Sequence, residues 1–531
     1  MNDENNLSNI EADFKSMVSI GDRYLQLEDI IAIVEQERTV ELHDTATRKV
    51  YQSYYFLKEF IKEKLIYGIN TGFGPMARYR INAEDQVDLQ YNLIRSHCSG
   101  SGATIDPLYV KATLIARLNT LLLGYSGIHP DAVLLLKEMI NRNILPVIYE
   151  HGGLGASGDL VQLAHVALAM IGEGNVGYQG KIIPAKEALA KEKITPLGIY
   201  IREGLALMNG TSAMCGIGAL NISEAKNLMH WSVLISSMIV ELVESYDDHY
   251  SSELNNVKHH EGQRQVAAMM RRFLSDSKMV KSREEHLYNR KVSENVLKEK
   301  VQEYYSIRCV PQILGPVYDT IATAEKVVMD EINSVNDNPI IDYENKNVFH
   351  GGNFHGDYVA LEMDKLKIAI VKLSMLCERQ LNFLMNDHLN GKLPPFTNLG
   401  KLGLNIGMQG TQFTATSTVA ENQMLSTPMY VHSIPSNNDN QDIVSMGSNA
   451  ALMTARVIRN SFEVMSIELI SLVQAIDYLG ISEKLSSASQ KVYAEVRKLV
   501  PMFQDDSIMY ERIRKVGDFL KSNKDFGAVK S

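Results

Sequence analysis

The segment at 151–160 contains residues whose types and spacing would allow the backbone to cyclise into a reactive group. It reads HGGLGASGDL, and four of the seven positions from 152 to 158 are glycine, so the backbone can turn tightly and enter positive φ without a Cβ clash. If the backbone is compressed here, the amide nitrogen of Gly158 can reach the carbonyl carbon of Ala156. Cyclisation with loss of water would then turn Ser157 into a methylene group on an imidazolone ring, which is an electrophile.

A plainer interpretation of the same segment is a glycine turn that leads into a capped helix. Directly after it, apolar residues recur at helical spacing, which predicts a helix; they are Leu160, Leu163, Ala164, Ala167, Leu168 and Ile171. Ser157 or Asp159 would be the natural N-cap of that helix. The local pattern by itself favours this interpretation, so the chemistry has to be argued from the rest of the chain.

The sequence GGLGASGDL resembles the signature of the histidine/aromatic amino acid ammonia-lyase family, and further similar motifs extend from Tyr67 to past Asp442. Members of that family carry 4-methylidene-imidazol-5-one (MIO), an electrophile that they form from their own chain. The resemblance therefore implies autocatalytic MIO formation from Ala156, Ser157 and Gly158, with no metal and no nucleotide. It also implies an amino acid as small-molecule substrate and a homotetramer in which more than one subunit builds each site.

Removing ammonia from an α-amino acid requires an electrophile for the amine and a base for the β-hydrogen. Tyr67 begins the motif YGINTGFG and matches the family tyrosine that takes the β-proton, while Gly74, which ends the motif, is expected to bind substrate. A tyrosine is a weak base at neutral pH, and without the resemblance a loop tyrosine packed under a glycine turn would be favoured. The motif lacks the GxGxxG order and the βαβ context of a dinucleotide site, so no Rossmann fold is predicted.

The substrate carboxylate needs a fixed cation, and arginine offers two parallel donors. The segment QEYYSIR at 302–308 resembles the family motif Gln-x-x-Tyr-Ser-x-Arg. By that match Arg308 binds the carboxylate, Gln302 lines the site, and Tyr305 lies among the catalytic residues. An isolated arginine is usually a solvated surface charge, so this assignment depends on the motif.

Three further matches complete the expected site. Asn209, in LMNGTS, matches the asparagine near the MIO group, although a helix N-cap is its alternative role. Phe354, in GGNFH, matches an aromatic neighbour of the ring, and Asn338, in DNP, belongs to another family loop that is expected to bind substrate.

Two positions bear on which amino acid is used. Histidine-specific members have a glutamate where this chain has Gln441, and glutamine is the choice of members that use phenylalanine or tyrosine. The pair Ser96-His97 is similar to that of histidine lyases and bacterial tyrosine 2,3-aminomutases, and in the latter the histidine lies by the phenol hydroxyl. An unpaired buried phenol is costly, so a site with His97 should favour tyrosine over phenylalanine.

These residues predict an MIO-dependent lyase that converts L-tyrosine to trans-4-coumarate and ammonia, similar to bacterial tyrosine ammonia-lyases of the flavobacterial type. Three alternatives stay open. A histidine ammonia-lyase would make urocanate, and a tyrosine 2,3-aminomutase would return the amine at Cβ to give β-tyrosine. A non-catalytic helical scaffold would carry a Ser157 that never cyclises.

The composition argues against several other classes of protein. The 531 residues carry a net charge of −10 without a basic stripe, so nothing indicates a nucleic-acid surface. The acidic N-terminus is unlike a secretory signal, and no apolar run is long enough to cross a bilayer. Four scattered cysteines without a CxxC spacing fit no disulfide framework. We therefore expect a cytoplasmic protein with no membrane and no nucleic-acid partner.

Proline spacing indicates the elements that must position these residues. No proline occurs between 196 and 311, between 339 and 394, or between 435 and 501, and proline costs about 3 kcal/mol inside a helix. Apolar residues keep a helical spacing in these gaps, over 228–242, 359–384 and 443–479. Helices of this length must bury their apolar stripes against one another.

The predicted fold is therefore mainly α, with a long-helix bundle core and an N-terminal α-rich domain that carries the MIO loop. The resemblance implies the architecture shared by ammonia-lyases and fumarases. We expect a flexible tail at 1–20, the MIO-loop domain at 21–208, and the bundle core with the C-terminal helices at 209–531.

Overall fold

The computed structural model describes residues 17–289, 295–297, 300–524 and 526. The chain is mainly α, which confirms the predicted fold class. The helices are α1 (Leu27–Val34), α2 (Asp44–Phe60), α3 (Gln86–His97), α4 (Pro107–Leu122), α5 (Pro130–Asn141), α6 (Leu160–Met170), α7 (Ala185–Lys191), α8 (Glu203–Met208), α9 (Ser212–Val243), α10 (Ser252–Asn256), α11 (Glu261–Phe273), α12 (Tyr305–Arg308), α13 (Val310–Ile332), α14 (Asp357–Met385), α15 (Asp387–Asn390), α16 (Gln409–Leu425), α17 (Gly447–Leu479), α18 (Ser487–Leu499) and α19 (Tyr510–Ser522).

Short strands occur between these helices. They are β1 (Met17–Ile20), β2 (Thr39–Leu42), β3 (Ser101–Thr104), β4 (Leu145–Pro146), β5 (Tyr149–His151), β6 (Asn175–Tyr178), β7 (Lys181–Pro184), β8 (Ile340–Asp342) and β9 (Asn347–Phe349). β1 pairs with β2 in parallel, whereas β3 with β5, β4 with β6, β6 with β7, and β8 with β9 pair antiparallel. β1 occupies the end of the predicted tail, and positions 1–16 lie outside the described residues.

The longest helices of the described chain are α9, α14 and α17, with 32, 29 and 33 residues. They coincide with the three predicted runs, although α17 begins at Gly447 and not at position 443. The proline argument does not predict α13, which has 23 residues and contains Pro316. A single proline removes one helical hydrogen bond, and a helix of this length retains the others. No helix in the described ranges combines the length and the apolar character needed to span a membrane.

The chain forms two compact units. The first contains the residues up to 223 together with 324–364 and 428–453, and the second contains 224–323, 365–427 and the residues from 454 onward. Each unit is assembled from separate stretches of sequence, because the division falls within α9, α13, α14 and α17. The continuous domains at 21–208 and 209–531 stay a prediction.

In the first unit, α4 is surrounded by other elements. The side chain of Asp106 caps its N-terminus by accepting an amide hydrogen bond of 2.9 Å, and Pro107 occupies the first turn, where an amide donor is not needed. Every residue from Val110 to Leu122 is buried, including Lys111 and Arg117. A helix that is buried on all sides belongs to the core, so these two cations lie inside the protein.

In the second unit, Trp231 of α9 lies at the centre of the core. Its side chain is fully buried, and Nε1 donates to the carbonyl oxygen of Leu520 in α19 (3.0 Å). The indole stacks on Phe526 with 5.4 Å between ring centroids and packs against Phe519 at 5.6 Å. Buried aromatic contacts of this kind fix α19 against α9.

Candidate active site

The loop between β5 and α6 carries the tripeptide 156–158, and its surroundings require glycine. At Gly155 φ is +74° and a Cβ would lie 2.0 Å from Oγ of Ser445. At Gly158 φ is +71° and a Cβ would lie 2.0 Å from the carbonyl oxygen of Gly210. Because neither position can accept a side chain, only glycine allows the loop to pack this closely.

The segment that precedes α17 holds this loop from the other side. The amide of Met446 donates to the carbonyl oxygen of Leu154 (2.9 Å), and Oγ of Ser445 donates to that of Gly155 (3.2 Å). Ala156 is buried against the same segment. Because the backbone of this segment is bound to the loop, α17 begins only after it.

Asp159 occupies the N-cap position of α6, but its side chain caps a different helix. The carboxylate accepts from the amide of Met214 in the first turn of α9 (2.8 Å) and from Oγ of Ser448. Complete burial raises the pKa of this carboxyl to about 6, although the hydrogen bonds act in the opposite direction. The predicted capping bond to α6 is therefore not formed, and Asp159 links the loop to α9 and α17.

Two amide side chains predicted for the site bind Ser157. Nε2 of Gln441 donates to Oγ of Ser157 (2.9 Å), and Nδ2 of Asn209 donates to its carbonyl oxygen (3.1 Å). Asn209 ends α8, so its alternative role as an N-cap does not hold. Oδ1 of Asn209 is buried and has no hydrogen-bond partner among the described residues, which is unusual for a native protein and leaves an acceptor for a bound group.

The tripeptide fits the cyclisation that the resemblance implies. Within the described part of the chain, no hydrogen bond engages the carbonyl oxygen of Ala156 or the amide of Gly158, the two groups that must react with each other. The adjoining backbone is fixed, because Gly158 forms a β-bridge with Gly210 and the amide of Asp159 donates to the carbonyl oxygen of Gly210 (2.8 Å). The reacting groups are thus free while their neighbours are held.

A cavity of about 930 Å³ in the first unit collects most of the predicted site residues. The predicted residues in its wall are Tyr67, Gly74, His97, Ser157, Gly158, Asn209, Asn338, Phe354 and Gln441. Ala156 is absent from the wall because its side chain is buried behind the loop. The volume lies in the range of small-molecule sites.

Tyr67 is oriented by the glycine loop that follows it. The amide of Gly74 donates to Oη of Tyr67 (3.1 Å), and the ring of Phe73 meets the tyrosine ring edge-on at 6.2 Å. Gly74 has φ of +51°, and a Cβ there would lie 2.7 Å from Nδ2 of Asn437. The hydrogen bond from the amide thus fixes the position of Oη in the cavity wall.

His97 is the last residue of α3, and its own helix fixes the orientation of its ring. Nδ1 lies 3.0 Å from the carbonyl oxygen of Leu93 and 3.1 Å from Oγ of Ser96. A carbonyl oxygen only accepts, so we assign the proton to Nδ1. Burial lowers the pKa of His97, against the effect of the Leu93 carbonyl. The ring is therefore neutral at pH 7, and Nε2 is an acceptor without a partner in the described chain.

Two loops hold Asn338 in the cavity wall. Its Oδ1 accepts from the amide of Gly351 (2.8 Å), and its carbonyl oxygen accepts from Arg202 (2.9 Å), which also pairs with Asp337 at 3.1 Å. His350 lines the cavity as well, and burial together with the charge of Arg202 lowers its pKa. The sequence did not predict His350, and its only signal is its place just before a predicted motif.

Apolar side chains from three helices also line the wall, and the sequence did not predict them as site residues either. They are Leu89 and Leu93 of α3, Leu160 and Val161 of α6, and Leu205 of α8. In a helical pattern, a face that lines a cavity has the same apolar spacing as a face that packs in the core. The sequence therefore holds no signal that would separate them.

The motif that ends at Arg308 lies in the second unit, and its residues are not among those that line the cavity. The guanidinium of Arg308 lies over the ring of Tyr305 at 4.7 Å and donates to Oε1 of Gln302. Tyr305 is 69% exposed. Arg308 thus contacts both of the other predicted residues.

The sequence matches the family described as aromatic amino acid lyase over residues 25–498. A MIO-dependent tyrosine 2,3-aminomutase from Streptomyces globisporus is 36% identical over 520 residues, which cover 96% of each chain. A tyrosine ammonia-lyase from Cupriavidus metallidurans is 39% identical over 463 residues, 86% of this chain and 87% of the relative. A histidine ammonia-lyase from a Geobacillus species is 38% identical over 506 residues, 95% of this chain and 96% of the relative.

The fold is similar to that of solved structures. The crystal structure of a tyrosine aminomutase from Streptomyces globisporus has a TM-score of 0.91 and 36% identity, and the match covers 95% of this chain and 97% of that one. The agreement confirms the long-helix architecture. The relatives named above are ammonia-lyases and aminomutases. The chain belongs to the aromatic amino acid lyase family.

Proposed function

We propose that the protein is an MIO-dependent tyrosine ammonia-lyase that converts L-tyrosine to trans-4-coumarate and ammonia. The observation that carries the proposal is the presence of Tyr67, His97 and Ser157 in the wall of one cavity. Ser157 is the precursor of the electrophile, Tyr67 is the base, and His97 accepts the hydrogen bond of the substrate phenol. Membership of a family of ammonia-lyases and aminomutases supports this chemistry.

The reaction divides between the tripeptide and Tyr67, which both line the cavity. The MIO group, when formed from residues 156–158, would supply an electrophilic methylene that makes the substrate amine a leaving group. Tyr67 in its phenolate form accepts the β-proton at Oη, and the 3.1 Å hydrogen bond from the amide of Gly74 holds that oxygen in position. The electrons of the Cβ–H bond form the double bond of 4-coumarate, and those of the C–N bond leave with ammonia.

Two side chains support tyrosine as the substrate. Nε2 of neutral His97 is the acceptor that a phenol O–H requires, and phenylalanine would leave it unused. Gln441, which lines the same cavity, carries no charge with which to pair an imidazolium. A histidine substrate would therefore lose its ion pair.

The cation that a substrate carboxylate requires supports sites shared between subunits, as in the predicted homotetramer. The cavity wall formed by the described residues contains no lysine or arginine, although a carboxylate needs a cation. Arg308, with Gln302 and Tyr305, forms a partly exposed group outside that wall. We therefore propose that these three residues of one subunit enter the cavity of another, where Arg308 binds the carboxylate and Tyr305 lies beside the reacting atoms.

A tyrosine 2,3-aminomutase is the second candidate, favoured by the name of the relative from Streptomyces globisporus. The same residues would serve that reaction, because it differs only in the return of the amine to Cβ before the product leaves. The rate at which product escapes, and not the identity of the binding residues, separates the two outcomes.

Intact mass tests the electrophile, and product analysis tests the reaction. The wild-type chain should weigh two waters less than its sequence, whereas Ser157→Ala should keep the full mass and the helical fold but lose turnover. Purified protein is offered L-tyrosine, L-phenylalanine and L-histidine separately. Release of 4-coumarate with free ammonia supports the lyase, β-tyrosine supports the aminomutase, and urocanate would indicate a histidine lyase. An open tripeptide in a protein that still eliminates ammonia would overturn the mechanism.

A further inference from the structure

Arg117 is a fully buried cation in the middle of α4 that has no ion pair with a carboxylate of the described residues. Its guanidinium donates to the carbonyl oxygen of Ala206 and, at 3.4 Å, to Oδ1 of Asn336, while Nε has no partner. Burial lowers its pKa to about 10, so the side chain is still protonated at pH 7. A buried charge without a paired anion is unfavourable for stability, which indicates a functional reason for its presence.

The guanidinium lies behind the tripeptide that would form the electrophile. Gly210 has φ of +145°, and a Cβ there would lie 2.5 Å from Nη1 of Arg117, so the guanidinium touches the backbone of Gly210. Gly210 in turn forms the β-bridge with Gly158 and accepts from the amide of Asp159 (2.8 Å). A single glycine therefore separates the charge from the peptide that would close the ring.

The acidic groups whose charges reach Arg117 are bound by other partners. Asp337 forms a two-point pair with Arg202, with both distances 3.1 Å. Asp159 accepts from the first turn of α9 and from Ser448. Both carboxylates act on Arg117 through space, but neither forms an ion pair with it. No carboxylate of the described residues therefore neutralises the guanidinium by direct contact, and its positive charge acts on the backbone of Gly210 and Gly158.

We propose that Arg117 is a positioning residue that makes the group formed at Ser157 more electrophilic, by holding a fixed positive charge behind Gly210 and Gly158. The inference rests on the proposed function, because it requires the ring. A preorganised charge is most effective where negative charge develops, and a water-free interior strengthens it.

The covalent step itself is unchanged by this role. The nitrogen of Gly158 bonds to the carbonyl carbon of Ala156, and that carbonyl oxygen leaves as water with the amide hydrogens of 157 and 158. The hydroxyl of Ser157 leaves as a second water with its Hα. Arg117 gains and loses no proton in either loss.

The test measures how fast the protein is modified by cyanide, a small nucleophile, with intact mass as the readout. Arg117→Met removes the charge at similar volume. Asn336→Asp keeps the arginine but offers it a carboxylate where Oδ1 now lies at 3.4 Å. Lys111→Met removes another buried cation of α4 and is the matched control. We expect modification to slow at least about tenfold in the first two variants and to stay within about twofold of the wild type in the control.

Each outcome bears on the inference. Recovery of the rate in Arg117→Lys supports a role for the charge. A folded Arg117→Met chain with an open tripeptide would overturn the inference, because the arginine would then be needed to form the ring and not to raise its reactivity. If Arg117→Met fails to fold, Asn336→Asp decides, because a merely structural arginine would tolerate an ion-pair partner. If both Arg117→Met and Asn336→Asp are modified by cyanide at the wild-type rate, the inference is overturned but the proposed function is not. A wild-type chain without the ring overturns the proposed function and this inference with it.

Discussion

Replacement of His97 by phenylalanine tests the choice of substrate most directly. The neutral imidazole donates through Nδ1 to the carbonyl of Leu93 (3.0 Å), which leaves Nε2 as the acceptor in the cavity wall. A phenyl ring fills similar space but accepts no hydrogen bond. The phenol of bound tyrosine would therefore lose its partner, whereas phenylalanine as a substrate would lose nothing.

The size of the effect follows from the energetics of an unpaired polar group. Leaving a buried hydroxyl without a partner costs about 1–3 kcal/mol. At about 1.4 kcal/mol per factor of ten, kcat/KM for tyrosine should fall roughly 5- to 150-fold relative to that for phenylalanine. His97 is only half-buried, so water can partly replace the lost partner, and we expect a value in the lower half of this range.

The assay compares kcat/KM for tyrosine and for phenylalanine, with Ser96→Ala as the control that leaves Nε2 in place. An unchanged ratio in His97→Phe would refute the assignment. The wild type adds a pH test. Burial lowers the pKa of His97 from its ordinary 6.5, so the ring is neutral above that value. As the pH falls through the lowered pKa, Nε2 becomes a donor, and the preference for tyrosine should decline in the wild type but not in His97→Phe.

Three further predictions concern the loop and the assembly. The pKa of Asp159 is raised from 3.8 to about 6, so the folded state binds the extra proton and wild-type stability falls as the pH rises between these values. Asp159→Asn should not show this loss, so its free energy of unfolding in urea should rise by up to about 3 kcal/mol relative to that of the wild type between pH 4 and pH 7. A difference between the two proteins that stays constant with pH would contradict this prediction. Gly155→Ala should reduce the fraction of chains that lose two waters, because the added Cβ would clash with Oγ of Ser445. Gly180→Ala should not reduce it, because Gly180 also has a positive φ, +73°, but no atom lies within 4 Å of its added Cβ. Equal masses of the two variants would count against the argument. Coexpressed Tyr67→Phe and Arg308→Ala chains should regain activity that neither has alone if subunits share sites, and mixed oligomers without recovery would speak against sharing.

The sequence predicts those parts of the fold that depend on local rules. The three long proline-free runs became α9, α14 and α17 because their apolar stripes must be buried. α13 was not predicted, because Pro316 breaks the rule on which the argument relied. The start of α17 at Gly447 depends on contacts with a loop far earlier in the chain, and local spacing holds no information about them.

The site residues also fall into those that the sequence predicts and those that it does not. Motif matches found Tyr67, Ser157 and Gln441, which the structure brings to one cavity. Arg117 was not predicted, although an arginine inside the apolar run LIARLNTLLLG is a signal of a buried charge. The motif at 302–308 predicts a group of residues, but if subunits share sites as proposed, the cavity that this group serves depends on the assembly of copies.

The hold of residues 445 and 448 on the loop at 155–159 has a consequence for biosynthesis. These partners lie 290 and 289 positions apart in the chain. During translation the loop leaves the ribosome long before the residues that constrain it exist. If the ring forms as proposed, a polypeptide that ends before position 445 would keep an ordinary serine there, and the reactive alkene would arise only in a chain that contains both partners. Possession of the ring would then record that the segment at 445–448 had packed against the loop.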